Sequence, residues 1–221
     1  MKTSMISGRK RKLTSFLEPF QQKVVNQWVP LVPSWLETYH LTLLTILFGI
    51  GVIIVGYLSR ISIWWILLIS PFILLQYITD ILDGAVGRYR NTGLVLWGFY
   101  MDHFCDYLFA MALVAAYVIA YQLPSEFFIL SALSVSGFFV HEFLMCVAKG
   151  EFNTSGYYGF GPTEIRLGVF LLNFLLPFIA KEYIVISMQG MLAFSCIVFF
   201  MLVFSSQKKL WKLDMERKRK S

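Results

Sequence analysis

Residues 42–58, TLLTILFGIGVIIVGYL, decide the fold class because the whole stretch is uncharged and strongly apolar. About 20 apolar residues in a helix cross a hydrocarbon core roughly 30 Å thick. Similar runs recur along the chain and predict six spans, near 42–58, 62–79, 98–121, 125–147, 165–180 and 183–205. With 57% apolar and only 14% charged residues, the composition excludes an ordinary soluble domain, a disordered tail and a disulfide scaffold. We therefore expect an all-α integral membrane protein.

The first 41 residues differ from the rest in composition. A basic cluster at residues 9–12 is followed by apolar side chains at four-residue spacing, namely Phe16, Phe20, Val24 and Trp28. One apolar stripe on a polar helix predicts an amphipathic helix at the membrane surface, the alternative being a helix packed on the bundle. The predicted organisation is a basic N-terminus with an interfacial helix (1–41), a six-helix membrane domain (42–206) and a basic tail (207–221).

The distribution of positive charge predicts the orientation. Seventeen of the 19 Lys and Arg residues lie in the two termini and in the stretches 80–97 and 148–166, which leaves Arg60 and Lys181 in the opposite turns. The positive-inside rule then places both termini and both long loops in the cytoplasm. The rule does not identify the membrane, which is a plasma or inner membrane or the endoplasmic reticulum. We assign the basic tail no role in nucleic-acid binding.

Four of the five aspartates fall within residues 80–106, at the predicted cytoplasmic ends of the second and third spans. Asp80 and Asp83 are three residues apart and Asp102 and Asp106 are four apart, so each pair shares one face of a helix. A charged side chain at the centre of a membrane helix costs about 2.5–3.5 kcal/mol, so the cluster requires compensation. The segment contains no lysine and supplies only two arginines. Carboxylate oxygens favour a hard divalent cation, Mg²⁺ or Mn²⁺; the alternative is a set of solvated or arginine-paired carboxylates.

Glycines lie between the two aspartate pairs, at positions 84, 87, 93 and 98. A residue without a Cβ atom lets a ligand approach the backbone closely. Gly84 directly follows Asp83, and Arg88 follows four residues later, which suits a pyrophosphate held by a metal ion and a guanidinium. The pattern therefore predicts phosphoryl chemistry.

These residues resemble the signature of the CDP-alcohol phosphotransferases, D-x2-D-G-x2-A-R-x8-G-x3-D-x3-D. The matching positions are Asp80-x-x-Asp83-Gly84-x-x-Gly87-Arg88 and Gly98-x-x-x-Asp102-x-x-x-Asp106. Two differences from the signature are Gly87 in place of alanine and nine residues, rather than eight, between Arg88 and Gly98.

Further positions resemble the choline- and ethanolaminephosphotransferase branch. They are Val32-Pro33-Ser34-Trp35, the run Asp102-His103-Phe104-Cys105-Asp106, and Thr163-Glu164. Tyr39 departs from the asparagine of that branch. The resemblance covers roughly residues 30–205 and is dense only in 80–106.

The resemblance implies a six-helix catalytic core, a homodimer and a site open to the cytoplasm. By position, Asp80, Asp83 and Asp102 would hold two divalent ions, and Asp106 would be a shared ligand or the general base. Gly84 and Arg88 would contact the CDP part of the donor. Further substrate contacts are expected at Gly98, Thr42, Glu142 and Arg166.

The identity of the general base is open at this stage. Asp106 is favoured by the general family pattern, whereas the branch resemblance favours His103 oriented by Glu164. Of the adjacent residues His141 and Glu142, the histidine is expected to form a hydrogen bond between helices.

Three classes of function compete. The first is a transferase that moves a phosphoalcohol group from CDP-ethanolamine or CDP-choline to a lipid hydroxyl such as that of diacylglycerol. Its variant uses CDP-diacylglycerol and a small polar alcohol. The other classes are a cation- or proton-coupled transporter and a non-catalytic membrane partner. The transporter is disfavoured because the acidic residues cluster on one side of the membrane and no inverted repeat is evident.

Overall fold

The computed structural model describes residues 18–149 and 162–220, and 88% of these residues are helical, with no strand among them. Seven α-helices follow one another: α1 (Glu18–Trp28), α2 (Thr38–Ser59), α3 (Ile69–Tyr89), α4 (Val95–Tyr121), α5 (Ser125–Lys149), α6 (Pro162–Leu172) and α7 (Lys181–Lys220). Short 3-10 turns occupy Val29–Leu31, Ile63–Leu68 and Leu176–Phe178. The predicted all-α class is confirmed.

Five helical stretches are long and apolar enough to cross a membrane, which indicates an integral membrane protein. They are Thr38–Ser59, Ile63–Tyr89, Val95–Tyr121, Ser125–Ala148 and Lys181–Lys218. The span predicted near 165–180 is different, because α6 has only 11 residues and ends before the turn at Leu176–Phe178. Pro177 lies in this turn, and because proline lacks an N–H it cannot continue the hydrogen bonding of an α-helix. The sixth crossing remains a prediction.

Helix α3 extends ten residues beyond the predicted end of its span, to Tyr89. Asp80, Asp83, Gly84 and Gly87 therefore lie on one continuous helix. The connection to α4 is a short turn, in which Asn91 (φ 52°) and Gly93 (φ +74°) have left-handed backbone conformations. This turn accommodates the additional residue between Arg88 and Gly98, and both aspartate pairs stay on regular helix.

The core lies where α2 packs against α3 and α4. Val52, Ile66, Ile69 and Ala116 are fully buried there. Gly56 permits the closest approach, because a Cβ atom at this position would lie 2.7 Å from the backbone of Ala116. Small residues at such crossings let helix backbones touch, as in other membrane bundles. The tight packing of these three helices holds the two aspartate-bearing helices in register.

Helix α1 lies against the end of α3 that carries the aspartates. Val25 and Val29 pack with the cluster formed by Leu82, Ala85 and Val86. This contact is compatible with both interpretations of α1, the helix at the membrane surface and the helix packed on the bundle. Residues 9–12 and Phe16 lie outside the described residues.

Helices α5 and α7 pack on each other and expose most of their apolar surface. The expected bond between helices is present, since His141 Nε2 and Ser206 Oγ are 3.3 Å apart. Helix α7 has 40 residues, which at 1.5 Å per residue is about 60 Å, twice the thickness of a hydrocarbon core. The basic segment expected as a separate tail from residue 207 thus continues the same helix as far as Lys220.

Candidate active site

The two aspartate pairs face each other across α3 and α4. Each of the four carboxylates lies within electrostatic range of the other three. The spacing of three and four residues is what brings each pair to one helical face. The expected meeting of acidic groups from two neighbouring helices is therefore present in the structure.

Asp83 is the most firmly held member of this cluster. It is 6% exposed and accepts a hydrogen bond of 2.8 Å from Thr42 Oγ1 on α2. Its other carboxylate oxygen accepts from the backbone N–H of Gly84. Thr42 was expected to contact substrate, and the structure places its hydroxyl on a carboxylate instead. Asp83 is thus oriented before any ligand arrives.

Arg166 forms ion pairs with two aspartates of the cluster. Its guanidinium forms an ion pair with Asp80 through Nη1 and a 2.8 Å contact with Asp106 Oδ1 through Nη2. The side chain is 19% exposed and comes from α6, which packs on α3. Charge counting within residues 80–106 missed this partner because Arg166 lies 60 residues beyond Asp106.

The two arginines of the segment behave differently from each other. The side chain of Arg90 points away from the aspartates. It donates hydrogen bonds to the carbonyl oxygens of Leu36, Val32 and Pro33, at 2.8, 2.9 and 2.9 Å. It therefore ties the connection between α1 and α2 to the end of α3. Arg88 stays beside the cluster, since its charge acts on Asp83. A Cβ atom at Gly84 would lie 3.3 Å from its Nη1, so Gly84 and Arg88 border the same space.

Gln76 was not identified from the sequence. It is fully buried one turn before Asp80, and its Nε2 donates a 2.8 Å hydrogen bond to Asp106 Oδ1. Its Oε1 has no hydrogen-bond partner in the part of the chain that the structure describes. The available signal was its spacing, because a polar residue four positions before Asp80 in an apolar span lies on the same helical face.

Two motif glycines have unlike surroundings. A Cβ atom at Gly87 would lie 3.2 Å from Thr38 Oγ1, so glycine in place of the usual alanine relieves a tight contact with α2. Gly98 faces open space, with no atom of the described residues within 4 Å of such a Cβ. Packing does not require glycine at position 98, which leaves room for a ligand.

His103 points its Nδ1 at the carbonyl oxygen of Phe99, 2.7 Å away and one turn back on α4. A carbonyl oxygen only accepts, so Nδ1 carries the proton and Nε2 is the basic nitrogen. The ring also packs beside Phe143, with centroids 5.7 Å apart, and Nδ1 lies 3.8 Å from Asp102 Oδ2.

The two glutamates predicted for the site lie on α6 and α5. Glu164 is close enough to Tyr77 for its charge to act there, together with that of Arg166. Glu142 lies next to His141 in the half of α5 that precedes Lys149, and its side chain is half-buried.

No group of three or more His, Cys, Asp or Glu side chains within residues 18–149 and 162–220 is arranged to hold a metal ion. Arg166 instead contacts one carboxylate oxygen of Asp80 and one of Asp106. A family model described as CDP-alcohol phosphatidyltransferase matches residues 37–204, about three quarters of the chain. A comparison with curated proteins finds no match.

Proposed function

Because the chain belongs to the CDP-alcohol phosphatidyltransferase family, we propose that its four facing aspartates form the centre of a metal-dependent phospholipid-synthesising transferase. Members of the family are phosphotransferases that move a phosphoalcohol group from a CDP-alcohol to an acceptor. The observation that carries the proposal is the convergence of four carboxylates from α3 and α4 on one another.

The donor set suits magnesium or manganese. Four carboxylates meet two nearby guanidinium groups, those of Arg166 and Arg88, so two negative charges are left over. Hard carboxylate oxygens are the ligands that these ions prefer. In the proposal, Asp80, Asp83, Asp102 and Asp106 hold two divalent ions. When bound, the ions neutralise the pyrophosphate charge and stabilise the departing CMP.

The remaining residues bind the donor and move the proton. Arg88 and the backbone at Gly84 hold the CDP part, and the open space at Gly98 admits it. The acceptor hydroxyl attacks the phosphorus of the phosphoalcohol group, the bond from this phosphorus to CMP breaks, and CMP leaves. The hydroxyl proton goes to a general base beside the acceptor.

We assign this base to His103. Its Nδ1–H is fixed on Phe99 O, so Nε2 presents a lone pair. Asp106 is the weaker candidate because Gln76 and Arg166 both donate to it, and such donors stabilise the ionised carboxylate. The carbonyl of Phe99 already orients the imidazole, the task that the branch resemblance assigned to Glu164.

The proposed donor is CDP-ethanolamine or CDP-choline, with diacylglycerol as acceptor, on the basis of the branch resemblance. The second candidate, CDP-diacylglycerol with a small polar alcohol, is favoured by one observation. Arg166 places a guanidinium in the cluster, and guanidinium groups bind phosphate through two parallel hydrogen bonds, so a phosphorylated polar alcohol would suit it.

The arrangement in the membrane is part of the same proposal. The stretch near 165–180 would supply the sixth crossing, and α1 would lie at the membrane surface. Both termini would be cytoplasmic, as the distribution of Lys and Arg predicts. The active site then faces the cytoplasm. A homodimer is proposed from the family resemblance alone.

The test uses purified protein in liposomes with a panel of CDP-linked donors and Mg²⁺ or Mn²⁺. We expect CMP release that a chelator abolishes and that Asp83→Asn and Asp102→Asn eliminate. Asp214→Asn, which changes the fifth aspartate on the distal part of α7, is the matched control and should retain activity. Ion movement without nucleotide would instead identify a transporter, and neither activity would identify a non-catalytic partner.

A further inference from the structure

The contacts of Asp106 Oδ1 raise a conflict with metal binding. This oxygen accepts from Gln76 Nε2 and from Arg166 Nη2, each at 2.8 Å. A carboxylate oxygen has two lone pairs, and two donors use both of them. Asp80 meets the same guanidinium through Oδ2. Asp106 Oδ1 therefore becomes available to a cation only when one donor leaves, and the same guanidinium also occupies one side of Asp80 Oδ2.

We propose that Arg166 is a built-in counter-ion that occupies the metal site and competes with the divalent ions for Asp80 and Asp106. The inference rests on the metal site of the proposed function. It adds that a residue of the chain itself pairs with the carboxylates and that metal binding releases its guanidinium.

Arg166 is the donor that moves. Gln76 is fully buried inside α3, with its side chain surrounded by the bundle. Arg166 comes from the short helix α6, keeps 19% of its side chain exposed, and swings away by rotating a long unbranched side chain. It also carries a full positive charge, so like-charge repulsion drives it from an incoming cation.

The released guanidinium lies at the edge of the site, where it suits a phosphate oxygen. The planar guanidinium of arginine can donate two parallel hydrogen bonds to a phosphate group. A rotation of the Arg166 side chain would therefore replace its contacts with two carboxylates by two hydrogen bonds to phosphate. Divalent ion and phosphate are therefore expected to bind with positive coupling. The ion pairs of Arg166 also limit charge repulsion among the aspartates before substrate arrives.

The direct test is a titration with Mn²⁺, followed through the electron paramagnetic resonance signal of the free ion, without substrate. We expect Arg166→Gln to bind Mn²⁺ about tenfold more tightly than the parent protein, a change equal to about 1.4 kcal/mol. Arg166→Lys keeps the charge but lacks the fork, so its affinity should fall between the two. Arg60→Gln, which removes an arginine from the other end of α2, is the matched control and should leave the affinity unchanged.

Unchanged or weaker Mn²⁺ binding in Arg166→Gln would overturn the inference. If this variant does not fold, modification of the parent protein by phenylglyoxal supplies the answer, with Arg166 located by peptide mass spectrometry. Mn²⁺ should increase the modification of Arg166, and a decrease or no change would overturn the inference.

The failure of this inference is distinguishable from that of the proposed function. If the parent protein and Arg166→Gln bind Mn²⁺ with the same affinity, only the proposed role of Arg166 is overturned. A parent protein and variants that all fail to bind Mn²⁺ overturn both proposals.

Discussion

Replacing Thr42 with valine removes the hydroxyl that donates to Asp83 and keeps the shape of the side chain nearly unchanged. The donor and the acceptor oxygen are 2.8 Å apart, and the two residues are 3% and 6% exposed. The carbonyl of Thr38, at 3.2 Å, is the weaker acceptor of the same hydroxyl. A hydrogen bond to a charged group contributes about 1.5–3 kcal/mol, and burial removes water as a replacement partner.

This free energy sets the expected effect on the reaction. If the hydroxyl holds Asp83 in the orientation that binds the metal ion, Thr42→Val lowers kcat/KM for CMP release roughly ten- to a hundredfold. The Mn²⁺ affinity should fall in parallel. Thr42→Ser retains the donor and should stay close to the parent protein in both measurements.

Thr45→Val is the control for the removal of a buried threonine hydroxyl from α2, since Thr45 is also buried one turn further along the helix. It should change thermal stability more than metal affinity. If Thr42→Val binds Mn²⁺ and turns over substrate as well as the parent protein does, Thr42 does not orient a metal ligand.

Three further substitutions test the site and the packing that supports it. Gln76→Leu leaves Asp106 with Arg166 as its remaining described hydrogen-bond donor. We therefore expect at least a tenfold loss of turnover, measured as CMP release. Turnover equal to that of the parent protein would contradict a role for the Gln76 amide. Gly56→Ala places a methyl group 2.7 Å from the backbone of Ala116, and thermal unfolding in detergent should show a loss of about 1–3 kcal/mol. Gly98→Ala places its methyl group in open space, so stability should not fall, whereas the KM for the CDP donor should rise; an unchanged KM would mean that no ligand approaches this position.

Local periodicity made much of the site predictable. Residues three or four apart on one helix share a face whatever the rest of the chain does, so the two aspartate pairs followed from spacing alone. Their convergence was expected because both pairs lie at the cytoplasmic ends of two successive spans. The structure agrees on both points.

The ends of the helices were less predictable. Hydropathy indicates whether a residue lies in the membrane, but it does not indicate whether its backbone is helical. Counting apolar residues ends a span at the first charged positions, whereas α3 continues as helix through Asp80 and Asp83 to Tyr89. In the stretch near 165–180, composition suggested a complete span. In the structure, α6 has 11 residues and ends before the turn that contains Pro177.

Contacts between distant segments were not predictable from local pattern. Arg166 pairs with Asp80, which lies 86 positions earlier in the sequence. Arg90 donates hydrogen bonds to backbone carbonyls more than 50 positions before it. Gln76 is a polar residue in an apolar stretch of α3, and the residue that accepts its hydrogen bond, Asp106, lies on α4. Such pairings depend on how helices pack, which one sequence does not state.

The proposed function requires that carboxylates from α3 and α4 bind divalent ions together. Anomalous X-ray diffraction at the manganese edge, from crystals grown with Mn²⁺ and CMP, is the decisive measurement. We expect manganese peaks between the two helices, within coordination distance of Asp80, Asp83 and Asp102. Ordered CMP without a manganese peak there, or manganese bound only elsewhere on the protein, would contradict it.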